Sequence, residues 1–135
     1  MSKETGNCYE VSSKTLGFLG AKAKKLEAPD WARSEIKPDD EWYLVHGCPT
    51  LRRPPYVKYG HAWLEVGEVC YDAENCQFWP KDLYYAVGNI EDDGNLFRYT
   101  YDQMYQFLLA YNHYGPWEGT EGCDPIPDCE IRGVE

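Results

Sequence analysis

The stretch Tyr59-Gly60-His61-Ala62-Trp63-Leu64-Glu65-Val66-Gly67-Glu68-Val69-Cys70-Tyr71-Asp72-Ala73 constrains the fold of this chain more than any other. Both arms alternate large apolar with polar residues, the period-two signal of half-buried strands. Gly67-Glu68 between them suits a two-residue type II′ turn, which places glycine first. That turn pairs Val66 with Val69, Leu64 with Tyr71 and Trp63 with Asp72. Ala62, Leu64, Val66, Val69, Tyr71 and Ala73 then form a core face. His61, Trp63, Glu65, Cys70, Asp72 and Glu74 share the opposite face. Asp72 falls diagonally across from His61, roughly 7–8 Å away between backbones, close enough for a carboxylate to hold an imidazole. A slip of one residue would send Asp72 to the other face.

A chain of 135 residues is one domain with room for a real core. Its 12 Tyr and 5 Trp are a globular, not a disordered, composition. No apolar run is long enough to span a membrane. The first residues, Met1 to Thr5, carry no hydrophobic signal, so the expectation is a cytoplasmic protein. In a reducing cytosol the 6 cysteines read as thiols, metal ligands or a nucleophile. A net charge of −10 argues against nucleic-acid and anionic-membrane partners, which need a basic footprint.

Asn7 and Glu10 make a capping-box-like pattern, and a helix is expected from about Cys8 to Leu26. Cys8, Ser12, Leu16, Leu19, Ala23 and Leu26 lie on one helical stripe. Pro29 and Pro38 bracket an irregular connector, Ala28 to Glu41. Trp42 to His46 reads as a strand with Tyr43 and Val45 on one face and Trp42, Leu44 and His46 on the other. Gly47 to Tyr59, with three prolines, reads as a long loop of the kind that often binds. Trp79 to Tyr85 is a strand end and a short helical turn, Leu96 to Tyr99 a further strand. Thr100 caps a helix with Gln103 in the capping-box position, its apolar residues being Met104, Phe107, Leu108 and Tyr111. Gly115-Pro116 stops it. From Glu118 the chain is acidic and rich in Gly and Pro. The fold class is therefore α+β: a short antiparallel sheet of about four to six strands against an N-terminal helix and a second helix. Residues 1–117 form the domain and 118–135 an acidic tail.

Three residue types needed for thiol acyl transfer fall at telling places. Cys8 opens a helix, where unpaired N–H groups and the dipole favour a thiolate and can receive an oxyanion. His61 opens a strand and can pair with that thiolate, and Asp72 can fix its tautomer. Each alone has a plainer reading: a buried helical Cys is usually a small hydrophobe, a strand His a capped one. Cys8 on the helix, Gly60-His61-Ala62-Trp63-Leu64-Glu65 and then Asp72 resemble the Cys-His-Asp order of the papain-like superfamily, nearest its transglutaminase-like and NlpC/P60-like branches. With Leu44-Val45-His46-Gly47, the pattern also resembles small proteins of tailed bacteriophages. The resemblance covers roughly residues 7–117. It implies a nucleophile-bearing helix on an antiparallel sheet, and a thioester formed on Cys8 with His61 as base and Asp72 as orienter. It departs from the family in having no Gln upstream of Cys8, so Asn7 or a backbone N–H must serve the oxyanion. Glu74, opposite His61, is the alternative third member.

Other candidates remain at the substrate side. Arg52 and Arg53 can receive a carboxylate or phosphate, or simply balance neighbouring acids in solvent. His46 would line the cleft if its strand adjoins that of His61, or cap the strand end. Trp42, Trp63, Tyr84, Tyr85 and Trp117 are core or cleft walls. His46, Cys48, Cys70, Cys76, Cys123 and Cys129 could supply zinc ligands, but no Cys-x-x-Cys occurs; the expectation is no metal and no cofactor. Cys123 and Cys129 could close a disulfide under oxidising conditions. The expected function is a cysteine hydrolase or acyltransferase on amide or isopeptide bonds of a protein or peptide-like substrate. The rival is a non-catalytic, acidic interaction or inhibitor protein of phage type that keeps the fold.

Overall fold

The computed structural model describes residues 8–17, 27–50, 54, 56–92, 96–115 and 117. The elements in chain order are α1 (Cys8–Gly17), α2 (Asp30–Glu35), β1 (Trp42–Gly47), β2 (His61–Val66), β3 (Val69–Asp72), β4 (Gln77–Pro80), α3 (Lys81–Gly88), β5 (Phe97–Tyr99) and α4 (Tyr101–Tyr111). One antiparallel five-stranded sheet carries them, in the order β4-β3-β2-β1-β5. The fold is α+β, with α1 packed on the sheet.

The central hairpin has the expected register: Val66 pairs with Val69 and Leu64 with Tyr71. Gly67 takes a φ of 57° and Glu68 stays negative, as a type II′ turn requires. With the register set, alternation sorts the side chains. Ala62, Leu64, Tyr71 and Ala73 face α1 and α4, where they join Cys8, Leu16, Leu44, Tyr99 and Met104 in one core cluster. Val45, Trp63 and Cys70 face the other way, onto Tyr84 and Ile90. Leu44 and Leu64 are fully enclosed, each contributing about 1.5–3 kcal/mol through burial. β1 pairs with β2 along its whole length, setting Gly47 opposite His61 and His46 opposite Ala62.

Several expectations change. α1 is described only to Gly17; its buried stripe is Cys8, Ser12 and Leu16, and Leu19, Ala23 and Leu26 lie outside the described residues. The connector from Ala28 to Glu41 is not wholly irregular. It holds α2, because Ala32 and Ile36 have a third small cluster to fill with Ala28, Val66 and Val69, and Arg33 bonds both Asp30 and the Ala28 carbonyl. The long loop before β2 is pinned by a Thr50–Lys58 bridge and by the Thr50 N–H on the Gly88 carbonyl. The turn after Pro80 is a helix of 8 residues. α4 has the expected Thr100–Gln103 capping box. It ends at Asn112, which takes the left-handed conformation, just before the Gly115-Pro116 stop signal. Of its apolar stripe, Met104 is buried while Tyr111 is exposed. The tail 118–135 lies outside the described residues.

Candidate active site

α1 is described from Cys8 onward, so the thiol belongs to the first described turn of that helix. The start of β2 lies against this turn, and Gly60 makes the approach possible: a Cβ there would sit 2.5 Å from the Tyr9 hydroxyl. His61 is the first residue of β2. The Cys8 sulfur, an imidazole nitrogen of His61 and a carboxylate oxygen of Glu74 all lie within 4.8 Å of one another. Asp72 Oδ2 is 3.7 Å from His61 Nε2 and Glu74 Oε1 is 4.0 Å from Nδ1. The imidazole is thus bracketed by two carboxylates, one at each nitrogen, with the thiol alongside. Both Asp72 and Glu74 are present; neither replaces the other.

Two aromatic rings also flank the imidazole. Tyr59 and Trp63 flank it at centroid distances of 5.7 and 5.9 Å. Asp72 is fixed in turn. The Tyr84 hydroxyl donates to its Oδ2 at 3.2 Å, the Asn75 side-chain amide donates to the same oxygen at 3.1 Å, and the Asn75 N–H donates to Oδ1 at 3.3 Å. Burial alone would raise the Asp72 pKa, but His61 and Asn75 outweigh it and hold the carboxyl below its usual range. Asp72 is therefore a carboxylate at neutral pH. The set is almost closed: Cys8 exposes 1% of its surface and His61 5%. A carbonyl carbon reaches the sulfur only after neighbouring groups move.

The remaining candidates fall elsewhere. Asn7, Arg52 and Arg53 lie outside the described residues. His46 and Trp63 are fully buried. His46 lies on the α1 side among Tyr9, Tyr99 and Trp117, and Trp63 is a wall behind His61, so neither meets a substrate in this conformation. Among the described residues, the cysteines first considered for zinc do not gather. Cys70 is buried beside Glu65, Cys76 is exposed, and Cys48 is in a disulfide whose partner lies outside the described residues. Cys48 is thus not the plain thiol expected, and the suggested Cys123–Cys129 bond lies outside the described residues.

Sequence reasoning did not find the partners of Asp72 in full. The Asp72 to Asn75 turn is a local side-chain-to-backbone motif and was readable. Tyr84 arrives from α3, and nothing in its spacing announces it. The Glu65 cluster was also missed. Its carboxylate is buried and accepts from Arg98 Nε at 3.0 Å, from Trp63 Nε1 at 3.1 Å and from the Tyr85 hydroxyl, with Lys81 Nζ at 3.7 Å. Burial works against ionisation, yet Tyr85, Arg98 and Trp63 keep it charged.

No family model, curated protein or solved structure matches this chain. Among the described residues, no helix is long and apolar enough to cross a membrane.

Proposed function

We propose that the chain is a cysteine hydrolase or acyltransferase acting on amide or isopeptide bonds of a protein or peptide-like substrate. The observation that carries the reading is the convergence of a helix-borne thiol, an imidazole and two carboxylates within one small volume. The Cys8 thiolate attacks the carbonyl carbon, and N–H groups of the first turn of α1 receive the oxyanion. His61 gives its proton to the leaving amine as the tetrahedral adduct collapses to a thioester. Water, or a second amine, then displaces the sulfur with His61 taking its proton. Asp72 keeps the imidazole oriented and stabilises its protonated form. A reducing compartment such as the cytoplasm suits a reaction that needs Cys8 as a thiol, although the Cys48 disulfide favours an oxidising one.

The second reading, a non-catalytic interaction protein with the same fold, is favoured by the 1% exposure of Cys8. Limiting iodoacetamide at about pH 6, below the range of an ordinary thiol, separates the two. Exposed Cys76 is the internal reference. Preferential labelling of Cys8 over Cys76 supports the enzyme; labelling of Cys76 with Cys8 spared supports the interaction protein.

A further inference from the structure

Glu74 is more than a cysteine triad requires. Asp72 already orients the imidazole from Nε2. A second carboxylate within 4.8 Å of the sulfur repels the very thiolate that the proposed reaction uses. A cation placed among the three groups reverses that repulsion into attraction. The donors are a thiol sulfur, an imidazole nitrogen and a carboxylate oxygen, the mixture that zinc accepts, with catalytic zinc sites typically taking three protein ligands and leaving one position open.

We infer that Cys8, His61 and Glu74 form a three-ligand site for one Zn2+ ion. A tetrahedral zinc needs its ligands about 3.3–3.8 Å apart, given bonds of roughly 2.0–2.3 Å. The present spacing of up to 4.8 Å must therefore close by about 1 Å when the ion enters. Nδ1, which faces Glu74 at 4.0 Å, is the metal-side nitrogen. Nε2 then donates its proton to Asp72, and Asp72 is itself held by Tyr84 and Asn75. That is the support a zinc-bound histidine usually has: a hydrogen-bonded carboxylate behind the ring. The near-closure of the site to large molecules leaves it suited to a single ion. Binding exchanges the Cys8 proton for the metal and releases that proton to solvent. The inference goes beyond the proposed reaction and does not depend on it, but the two exclude each other at any moment: a sulfur bound to zinc does not attack a carbonyl.

The test uses the full chain, freed of metal with a chelator and titrated with Zn2+ against a chromophoric competitor. Co2+ is a second probe, read by its thiolate charge-transfer and tetrahedral visible bands. One equivalent is expected, with Co2+ giving the thiolate band and Zn2+ displacing it. Glu74→Gln and Asp72→Asn should each weaken binding about 10–100-fold, Cys8→Ser should abolish the thiolate band, and Cys76→Ser should change nothing. Circular dichroism checks that each variant is folded. Should Cys8→Ser not fold, the Glu74→Gln and Asp72→Asn affinities decide. Binding of unchanged strength in Glu74→Gln, or no one-to-one binding at micromolar Zn2+, overturns the inference. Alkylation of the chelated protein reads the hydrolase separately: zinc binding by a protein whose Cys8 is unreactive keeps the metal site and removes the enzyme, and a reactive Cys8 without zinc does the reverse.

Discussion

His46 and His61 sit on adjacent paired strands, one residue out of register, and both are buried. His46 is walled by Tyr9, Tyr99 and Trp117, and neither of its nitrogens has a hydrogen-bond partner among the described residues. Burial pushes its pKa down to about 3, so it stays neutral. His61 has a carboxylate at each nitrogen and a thiol within reach. Burial alone thus turns a histidine into a large polarisable wedge. Burial between carboxylates gives the other an acid facing each ring nitrogen. The alternation of the sheet makes the difference, since a shift of one residue exchanges aromatic walls for acids.

The sharpest break of that comparison is His61→Ala. It should lower Cys8 alkylation at about pH 6 on the order of 100-fold, the gap between a paired thiolate and an ordinary thiol, while His46→Phe leaves it unchanged. Equal loss in both variants would remove the distinction between the two rings.

His46 makes its own prediction through acid stability. Unfolded, its imidazole takes a proton near pH 6.5; folded, it does so only near pH 3. The unfolded chain therefore binds more protons between these values. Stability from this group is complete above about pH 6.5 and falls as pH drops toward about 3, by roughly 1.4 kcal/mol per pH unit. Denaturant unfolding at pH 7 and pH 5 should show the slope in the parent and a shallower one in His46→Phe. Identical slopes would mean His46 is protonated in place.

Asp72→Asn should slow Cys8 alkylation about tenfold, by removing the charge that stabilises the imidazolium. The smallest effect belongs to Tyr84→Phe, which deletes one donor to Asp72 and should cost about 1 kcal/mol in an unfolding titration. If Tyr84→Phe outweighed Asp72→Asn, Tyr84 would have to be moved from support of the site to its centre.

The Glu65 cluster sharpens the same contrast from the other side. Its carboxylate lies on the same hairpin face as His61, but its donors are at bonding distance, with Arg98 and Lys81 supplying positive charge. A buried charge so fully met adds rigidity. The groups around His61 stand 3.7–4.8 Å apart, beyond direct hydrogen-bond distance.

Much of this was legible in the chain. Alternation from His61 to Asp72 and a glycine-first turn specify a register, and the register alone sets His61 and Asp72 on one face. A helix carrying Cys8, Ser12 and Leu16 on one stripe was legible from their spacing, and the α4 cap from Thr100 and Gln103. Other features had no local sign. Tyr84, Arg98 and Tyr85 reach their carboxylates from α3 and β5, across 12 to 33 residues of chain. Their roles depend on where those elements dock, which no short-range pattern encodes. α2 formed where irregular chain was expected because the apolar turn end of the β2–β3 hairpin, Val66 and Val69, is covered by Ala32 and Ile36.

The sequence by itself determined the hairpin and its two faces, because side-chain alternation and turn chemistry act between neighbours. Only the tertiary structure decided that α1 docks the turn of Cys8 and Tyr9 at the start of β2, through the glycine at position 60, and so brings a sulfur to an imidazole more than fifty residues away. It also decided that Glu74 joins Asp72 at that ring and did not displace it. Packing of a helix on a sheet is settled by shape and burial over the whole core, and local sequence carries no record of it.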